Sequence, residues 1–463
     1  MDIENIKNKV LKDIKPTKEE RKKVKEFVRN LKTTAEVKSG KDAVIVGSTG
    51  KKNWISGDHD IDLFLLFPKT YSKQKLEDNG LKYGKQIAKE FDAEWDINFA
   101  EHPYVKAKIS GYNVDIVPCF RIKKGDKIKS SVDRSPLHLN FVLDKLDAGL
   151  RNEVRLLKQF MKSIEVYGSD AKTKGFSGYL CELLVIKYGK FQDVLRNVKD
   201  WKPTTVVDPQ NYIKKEKNTI KKFPSKSLII LDPTDRERNA AAVVSADKYI
   251  RFIQKSREFL KNPSIDYFKI RKKEKLTEKE IKELKNRETK FLALKIKKPD
   301  IIEDNLFPQL RKLNKRINQL LKNHEFKTMR KYVFDSQTYA YLVLEMEIWH
   351  LPKIEKMVGP LITSKKHTKE FLEKYKDPMF GPYIENKKWV AERKRKFQNA
   401  HKLIIDFISK EKKELKNSGV PKGLVDVAYK SQVLEHENFW KEVKKEDKLS
   451  KGLKIKYFES MKI

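Results

Sequence analysis

Three aspartates stand at alternate positions in VIVGSTGKKNWISGDHDIDLFLLFP (Val44 to Pro68): Asp58, Asp60 and Asp62. The last two open an apolar run, where a buried strand would ordinarily exclude charge. Residues two apart on a strand share a face, so Asp60 and Asp62 project together, with Ile61 and Leu63 toward a core. Adjacent carboxylates repel unless a hard cation lies between them, and Mg²⁺ suits a site of few carboxylates completed by water and phosphate oxygens. A two-metal site needs a further acid from a neighbouring strand. YNVDIVPCF supplies one, Asp115 between Val114 and Ile116. The other reading of SGDHD is an Asp-rich turn, with Asp60 capping a backbone N–H, but a turn does not account for Asp115. Asp58 precedes the strand and reads as a turn residue, and His59 should face away from the acids. Upstream, Gly47 and Ser48 end a first strand and could present N–H groups and a hydroxyl to a triphosphate.

These residues need a sheet to hold them. Ala43 to Val46, Ile61 to Phe67, Glu94 to Ala100, Tyr104 to Ile109 and Tyr112 to Phe120 read as strands. Leu76 to Phe91 reads as a helix. So does Thr17 to Val37, opened by a Thr17/Glu20 capping box. The mix suggests an α/β domain with a small mixed sheet, ending near residue 145. From Asn152 the spacing turns helical, in NEVRLLKQFMKSI and FSGYLCELLVIKYG. WKPTTVVDPQ and LIILDPTDRERNAAAVVS read as a proline-containing loop region, followed by a helix from about Ser245 to Leu260. Asn262-Pro263 marks a boundary. Beyond it come a charged segment, a strand at Phe291 to Pro299, a helix at Pro308 to Leu321, a β-rich run TYAYLVLEMEIWHLP and a helix at Thr368 to Tyr375. This order resembles a ferredoxin-like or RNA-recognition layer. From Asp377 the chain reads as helical and very basic.

Composition sets the setting. With 463 residues and 39% hydrophobic content, the chain is long enough for several cores. Its longest apolar run is too short to span a bilayer, and its charged N-terminus lacks a signal-peptide core; a cytoplasmic protein is expected. Two distant cysteines and eight histidines without zinc spacing argue against disulfides and structural zinc. Lys and Arg total 103 against 65 for Asp and Glu, a net charge of +38. Such an excess points to a polyanion, most often nucleic acid; a Lys-rich organism or a high growth temperature would leave the same mark.

The pattern Gly-Ser, Asp-h-Asp-h and a distant h-Asp-h resembles the DNA polymerase β nucleotidyltransferase superfamily. GSTGKKNW, DHDIDLFLLFP, AEHPYVKAKISGYNVDIVPCF, SSVDRSPLHLNFV, YGSDAKTKGFSGYLCELL and LDPTDRERNAAAVVS then follow in the order of the archaeal-type (class I) CCA-adding enzymes, which are tRNA nucleotidyltransferases. This resemblance implies an α+β multidomain chain: a palm-like nucleotidyltransferase head (1–145), a helical neck with the nucleotide-selecting pocket (146–262), and an RRM- or ferredoxin-like body with a helical basic tail (263–463). It implies template-independent transfer of CMP, CMP and AMP from CTP and ATP to the tRNA 3′ end, with Mg²⁺ on Asp60, Asp62 and Asp115. The family usually has Glu where this chain has Asp60, and Ala-Arg where it has Gly50-Lys51, so Lys51 keeps a charge near the triphosphate without the guanidinium fork.

By the same resemblance Gly47, Ser48, Lys51, His138, Lys158 and Tyr167 contact phosphates, and Arg238, with its neighbour Asn239, helps choose C or A over G or U. Each also has an ordinary reading: His138 as a helix cap, Lys158 as a solvated lysine, Tyr167 as core, Arg238 as a surface ion pair. The cluster KKWVAERKRKF (Lys387, Lys388, Arg393, Lys394, Arg395) is a tRNA-backbone contact or else a solvated helix face. The acceptor stem and its adjoining arm, CTP, ATP and a second copy of the chain in a homodimer are the partners expected. The competing functions are a poly(A) or oligoadenylate polymerase of the same superfamily, and an inactive RNA-binding relative.

Overall fold

The computed structural model describes residues 2–58, 60–99, 101–123, 125–213, 215–429 and 431–459. His59 lies outside the described residues. The chain divides into two compact units between Arg271 and Lys272. This lies beyond Asn262-Pro263, because the turn Ile265–Phe268 delivers Phe268 to the first unit's core. Among the described residues no helix is long and apolar enough to cross a membrane.

The first unit opens with helices Ile3–Ile14 and Lys18–Ser39. The Thr17 hydroxyl accepts the Glu20 N–H at 3.1 Å and caps the second helix. The Glu20 side chain does not complete the expected capping box. Its carboxylate accepts from the Ser56 hydroxyl at 2.7 Å and the Gly57 N–H at 3.2 Å. The helix start is thereby tied to the loop that leads into the acids.

Strands β1 (Ala43–Ile45), β2 (Asp60–Phe67), β3 (Trp95–Phe99), β4 (Pro103–Ile109) and β5 (Tyr112–Phe120) form one sheet in the order β1-β2-β5-β4-β3. β2 and β5 run parallel and the other neighbours antiparallel. The parallel pair requires a crossover, which includes helix Lys73–Glu90. Ile61, Leu63, Leu65 and Phe67 share one face and pack with Leu31, Ala35, Leu76, Ile87 and Ala88. On the other face Phe64, Val46, Val117 and Cys119 meet Leu139 of helix Arg134–Lys145. Phe64 follows Asp60 and Asp62 on that same face. One face of β2 is therefore apolar where a helix covers it and acidic where it opens.

Helices Ala148–Ser163, Gly178–Tyr188, Phe191–Val198 and Ala246–Lys261 pack with Ile3–Ile14 in a second core of the same unit. Phe160, Phe191, Phe259 and Phe268 make edge-on and tilted ring contacts there. The stretch expected to be loop is instead a small sheet of β6 (Thr205–Val207), β7 (Leu228–Asp232) and β8 (Asp235–Asn239). All five β7 residues are buried, and a run that short shows no period in the sequence.

The second unit contains β9 (Lys290–Lys297), β10 (Lys327–Asp335), β11 (Tyr339–Ile348), β12 (Ile354–Leu361), β13 (Phe380–Glu385), β14 (Lys388–Lys394) and β15 (Gln432–Leu434). β10-β11-β9-β15 form an antiparallel sheet with the strand order of the expected ferredoxin-like layer. Helices Glu303–Asn323 and Ala400–Ile408 pack on one face. Phe439 and Trp440 of helix His436–Lys445 cover Phe291, Tyr341 and Val343 on the other. Helices thus pack on both faces of the sheet, where an RNA-recognition motif leaves one face open for stacked bases.

Two readings are corrected here. The helix expected at Thr368 to Tyr375 does not belong to this layer. It spans Lys365–Lys374 and packs Phe371 near a separate sheet, β12-β14-β13, while Ala400–Ile408 takes the place it was given. The chain after Asp377 is not uniformly helical either: β13 and β14 make a hairpin through Asn386 and Lys387, at φ 48° and 63°. Two left-handed residues are what a primed hairpin turn requires, and Asn-Lys is a weaker signature of it than Asn-Gly.

Candidate active site

The parallel pairing of β2 and β5 sets Asp62 directly beside Asp115, and Asp60 beside Asn113. Asp60 is exposed, whereas Asp62 and Asp115 are half-buried. Asn113 donates from Nδ2 to Asp60 Oδ1 at 2.9 Å. The Thr49 hydroxyl donates to the Asp60 carbonyl at 3.2 Å. On the far side of β5, Lys106 of β4 pairs with Asp115 and holds its Nζ 3.8 Å from Oδ1. Tyr104 lies on the same face of β4 as Lys106 and directs its hydroxyl to Asp115. Sequence reading missed Asn113, Tyr104 and Lys106. Their signal was alternation: each shares the face of the acid it meets.

The acids are under-neutralised. Burial, then the charges of Asp115 and Asp60, push the Asp62 pKa up to about 6, against the pull of Lys51 and Lys106. Burial likewise raises Asp115, while Lys106 and Tyr104 draw it back. Burial and the nearby Asp115 push Tyr104 up to about 12. Asp115 Oδ1 is buried with no hydrogen-bond partner, which in a folded protein calls for an ion, a water or a functional reason. Among the described residues no three His, Cys, Asp or Glu side chains close into a metal cage. An open set of carboxylates fits a hard cation that takes its remaining ligands from water and substrate.

Gly47 controls the approach to Asp62. It sits at φ 62°, and a Cβ there would fall 1.8 Å from Asp62 Oδ2. It opens the turn Gly47–Gly50, which holds Ser48 half-buried.

Lys51 leaves that turn for a buried network. Its Nζ lies 2.6 Å from Glu182 Oε2 and 4.9 Å from the Tyr179 ring centroid. Asn53 donates to Glu182 Oε1 at 2.9 Å, and Lys158 donates to Asn53 Oδ1 at 2.7 Å. Lys51 is 6% exposed, Lys158 3% and Glu182 2%. Burial lowers the Lys158 pKa, partly opposed by Glu182. Tyr167 comes close to Lys158, since a Cβ on Gly178 would meet Tyr167 Oη at 3.1 Å and Lys158 Cε at 3.4 Å. Three of the expected phosphate contacts, Lys51, Lys158 and Tyr167, therefore belong to one cluster. It holds two lysines and one glutamate, an arrangement that favours an anion.

His138 and Arg238 converge on an acid that sequence reading passed over. Asp232, fully buried at the end of β7, accepts at Oδ2 from His138 Nε2 (2.9 Å) and Arg238 Nη1 (2.6 Å). At Oδ1 it accepts from the Tyr179 hydroxyl (3.0 Å), the Thr234 N–H (2.9 Å) and the Thr234 hydroxyl (2.8 Å). Burial alone would raise its pKa. The bonds from His138, Thr234 and Arg238 outweigh burial and hold Asp232 well below the usual carboxylate range. Burial keeps His138 below the ordinary imidazole value, against the pull of Asp232. An ionised carboxylate only accepts, so the His138 proton is on Nε2. The ring stacks on Tyr179 at 3.9 Å. An acid set against an apolar strand is the kind of sign that singled out Asp115, which lies within its strand; in LIILDP the acid instead closes the run.

Asn239 is otherwise engaged. Its amide accepts from the Ile230 and Ala241 N–H groups and donates to the Leu228 carbonyl, at 2.9–3.0 Å, so it braces β7 and β8. In the second unit Lys387 occupies the hairpin turn, and Lys388 and Lys394 lie exposed on β14. Arg393 is bound to Glu355 at 2.7 Å, and Arg395 to Glu355 at 3.1 Å and to Glu325. The cluster is thus part strand and part ion-pair network, and the expected helix face is absent.

Three family models match in succession. Residues 21–138 match a nucleotidyltransferase domain, 152–269 the second domain of tRNA nucleotidyltransferases, and 287–418 the C-terminal domain of the CCA-adding enzyme. The chain is 39% identical over 431 residues to the CCA-adding enzyme of Methanocaldococcus jannaschii, covering 91% of this chain and 93% of that one. It is 40% identical to that of Methanosarcina barkeri, covering 87% and 89%. The enzyme of Archaeoglobus fulgidus is 35% identical, with 88% and 90% covered. Among solved structures, a cytoplasmic RNA terminal U-transferase is similar at a TM-score of 0.46 and 18% identity, over 58% of this chain and 98% of that one.

Proposed function

The chain belongs to the CCA-adding enzymes, tRNA nucleotidyltransferases, and from that premise we propose how its residues divide the addition of CMP, CMP and AMP to the tRNA 3′ end. The observation that carries the proposal is the in-register Asp62–Asp115 pair, with its raised proton affinities and an Asp115 Oδ1 that lacks a hydrogen-bond partner. Nucleotidyltransferases of this superfamily generally use divalent metal ions, and we propose Mg²⁺ on Asp60, Asp62 and Asp115. When bound it would acidify the attacking 3′-hydroxyl and offset charge on the triphosphate.

The protein's own part is positioning and charge. Asn113 orients Asp60, and Lys106 and Tyr104 keep Asp115 ionised and aimed. Gly47 and Ser48 face the triphosphate. Lys51, Lys158 and Tyr167 make the cationic wall of the pocket, with Glu182 fixing Lys51 and Asn53 fixing Lys158. His138 contacts phosphate, and Arg238 offers N–H donors to O2 and N3 of cytosine or N1 of adenine, acceptors that G and U do not present together at that edge. Residues 1–145, 146–262 and 263–463 would serve as head, neck, and body with tail. Lys387, Lys388 and Lys394 would meet tRNA phosphates, while Arg393 and Arg395 chiefly hold the hairpin to Glu355. The proposal extends to a cytoplasmic setting and to a homodimer, which sedimentation checks.

The test is label incorporation from CTP and ATP onto tRNA transcripts ending in the discriminator base, C or CC. Asp115→Asn should reduce incorporation by about a thousandfold or more on every transcript, since a metal ligand is lost. Undiminished incorporation by that variant would refute the assignment. Runs of many residues from ATP alone would refute the placement of C and A selection at Arg238.

A further inference from the structure

We propose that Asp232 is the positioning residue for nucleotide choice: it locks the base-reading Arg238 to the phosphate-side His138, so that one carboxylate sets both ends of the incoming nucleotide. The inference rests on the roles assigned above to Arg238 and His138, and adds a residue to which neither the comparisons nor the sequence reading gives a part.

The geometry is unusual for a structural acid. Both hydrogen bonds from the candidate site residues land on a single oxygen, Oδ2, at 2.6 and 2.9 Å. The groups that anchor the acid itself, Thr234 and Tyr179, land on the other, Oδ1. The carboxylate is therefore held by one oxygen and holds with the other. Asp232 is 0% exposed, whereas the Arg238 side chain is 35% exposed, so the acid is fixed in the interior and the guanidinium reaches from it toward solvent. A guanidinium has five donors in one plane. Binding one of them to an immobile oxygen anchors that end of the plane and narrows the directions open to the remaining donors. Tyr179 extends the lock, because its ring stacks on His138 while its hydroxyl holds Oδ1. Its ring also lies beneath the Lys51 ammonium, so the Asp232 cluster adjoins the cationic wall.

Discrimination by hydrogen bonding depends on buried donors being held where the wrong base leaves them unpaired. An Arg238 free to rotate would find acceptors on uracil or guanine as well. Loss of the Asp232 charge should thus relax choice more than it slows transfer.

The experiment is steady-state kinetics of the full-length enzyme with CTP, ATP, UTP and GTP on transcripts ending in C and CC. Asp232→Asn, which keeps the shape but sets an N–H₂ or a neutral oxygen against Arg238, should lower the ratio of kcat/KM for CTP over UTP by about tenfold or more. Arg238→Ala should lower it similarly, and the double variant should be no worse than Arg238→Ala alone. A merely structural role would depress all four nucleotides alike and leave the ratio in place; that result overturns the proposal. If Asp232→Asn does not fold, as judged by circular dichroism and thermal unfolding, Asp232→Glu carries the test. It retains the charge and displaces Oδ2, so the ratio must fall, and an unchanged ratio again overturns the proposal. The two readings fail separately: if Arg238→Ala leaves the ratio intact, the base-reading role itself is wrong. If Arg238→Ala relaxes choice while neither Asp232 variant does, only the positioning role is wrong.

Discussion

Replacing Gly47 by alanine separates what the fold needs from what the site needs. Two consequences follow from the geometry. At φ 62° an alanine must adopt the left-handed conformation, which costs about 1–2 kcal/mol of stability. That is tolerable for a unit with cores of this size. The second consequence is steric. The added Cβ would lie 1.8 Å from Asp62 Oδ2, where ordinary contact begins near 3.4 Å. The carboxylate must then retreat by roughly 1.5 Å, and a misplacement of about 1 Å at a reacting centre is worth on the order of a hundredfold in rate. Asp62 cannot simply rotate away without leaving Asp115, its register partner on β5. The assay is single-turnover ATP incorporation onto a transcript ending in CC, with thermal unfolding and tRNA binding measured beside it. Gly47→Ala should lose about a hundredfold or more in rate, unfold a few degrees earlier and bind tRNA as the parent does. Gly47→Ser should do no better, since it brings the same Cβ. A Gly47→Ala enzyme within about threefold of the parent rate would refute the claim that this glycine clears space for Asp62.

Other outcomes follow from the same site and its neighbours. In metal-free protein the raised Asp62 pKa means that folding favours the protonated acid. Its contribution is present below pH 4, diminishes between the unfolded value of 3.8 and about 6, and is gone above. Asp62→Asn should therefore unfold later than the parent at pH 7.5, by up to roughly 3 kcal/mol, with the gain vanishing near pH 4; an equal or lower melting temperature at pH 7.5 counts against the repulsion argued for these acids. Added Mg²⁺ should raise the melting temperature of the parent more than that of Asp62→Asn. Lys388→Ala or Lys394→Ala should weaken tRNA binding and reduce the slope of log Kd against log salt by about 1 each. Arg393→Ala, already paired with Glu355, should change that slope by clearly less. Glu182→Gln leaves Lys51 without its buried partner at 2.6 Å, and thermal unfolding should show destabilisation of about 3 kcal/mol or more.

The catalytic sheet was legible because its signals are local and its period is two. Asp60, Asp62 and Asp115 could be assigned to one face before any register was known, since parity alone fixes the side of a strand. Parity does not say which strands are neighbours. That Asp62 lies opposite Asp115, and that Lys106 and Tyr104 approach from β4, required the order β1-β2-β5-β4-β3. The second carboxylate centre was harder to see for a different reason. β7 is five buried residues ending in Asp232, too short for any period, and the flanking Pro224 and Pro233 with their charged neighbours read as loop. The basic hairpin was hidden by composition. Lys388, Arg393 and Lys394 charge both ends of β14, and its only two buried residues among those described, Val390 and Ala391, are adjacent, so no alternation shows, and the turn used Asn-Lys where a glycine would have announced it.

The two acidic centres show how one residue type is given opposite tasks by its neighbours. Asp62 and Asp115 have more negative charge around them than the chain neutralises. Their proton affinities rise, one oxygen is left without a hydrogen-bond partner, and the deficit suits a cation that takes its remaining ligands from water and substrate. Asp232 has the reverse condition: five hydrogen bonds converge on its two oxygens, its proton affinity falls, and nothing remains for an incoming group to satisfy. A group that must exchange ligands in every cycle is best left unsatisfied, and a group that must never move is best saturated. The same criterion separates Arg238 from Asn239, its neighbour on β8. The asparagine's amide is bound at both its oxygen and its nitrogen to the backbone of β7 and the turn that follows β8. The arginine is held to Asp232 by one bond and is a third exposed, so it has donors left for the base that we propose it reads. Counting satisfied against available donors thus assigns roles to adjacent polar residues that sequence spacing alone leaves together.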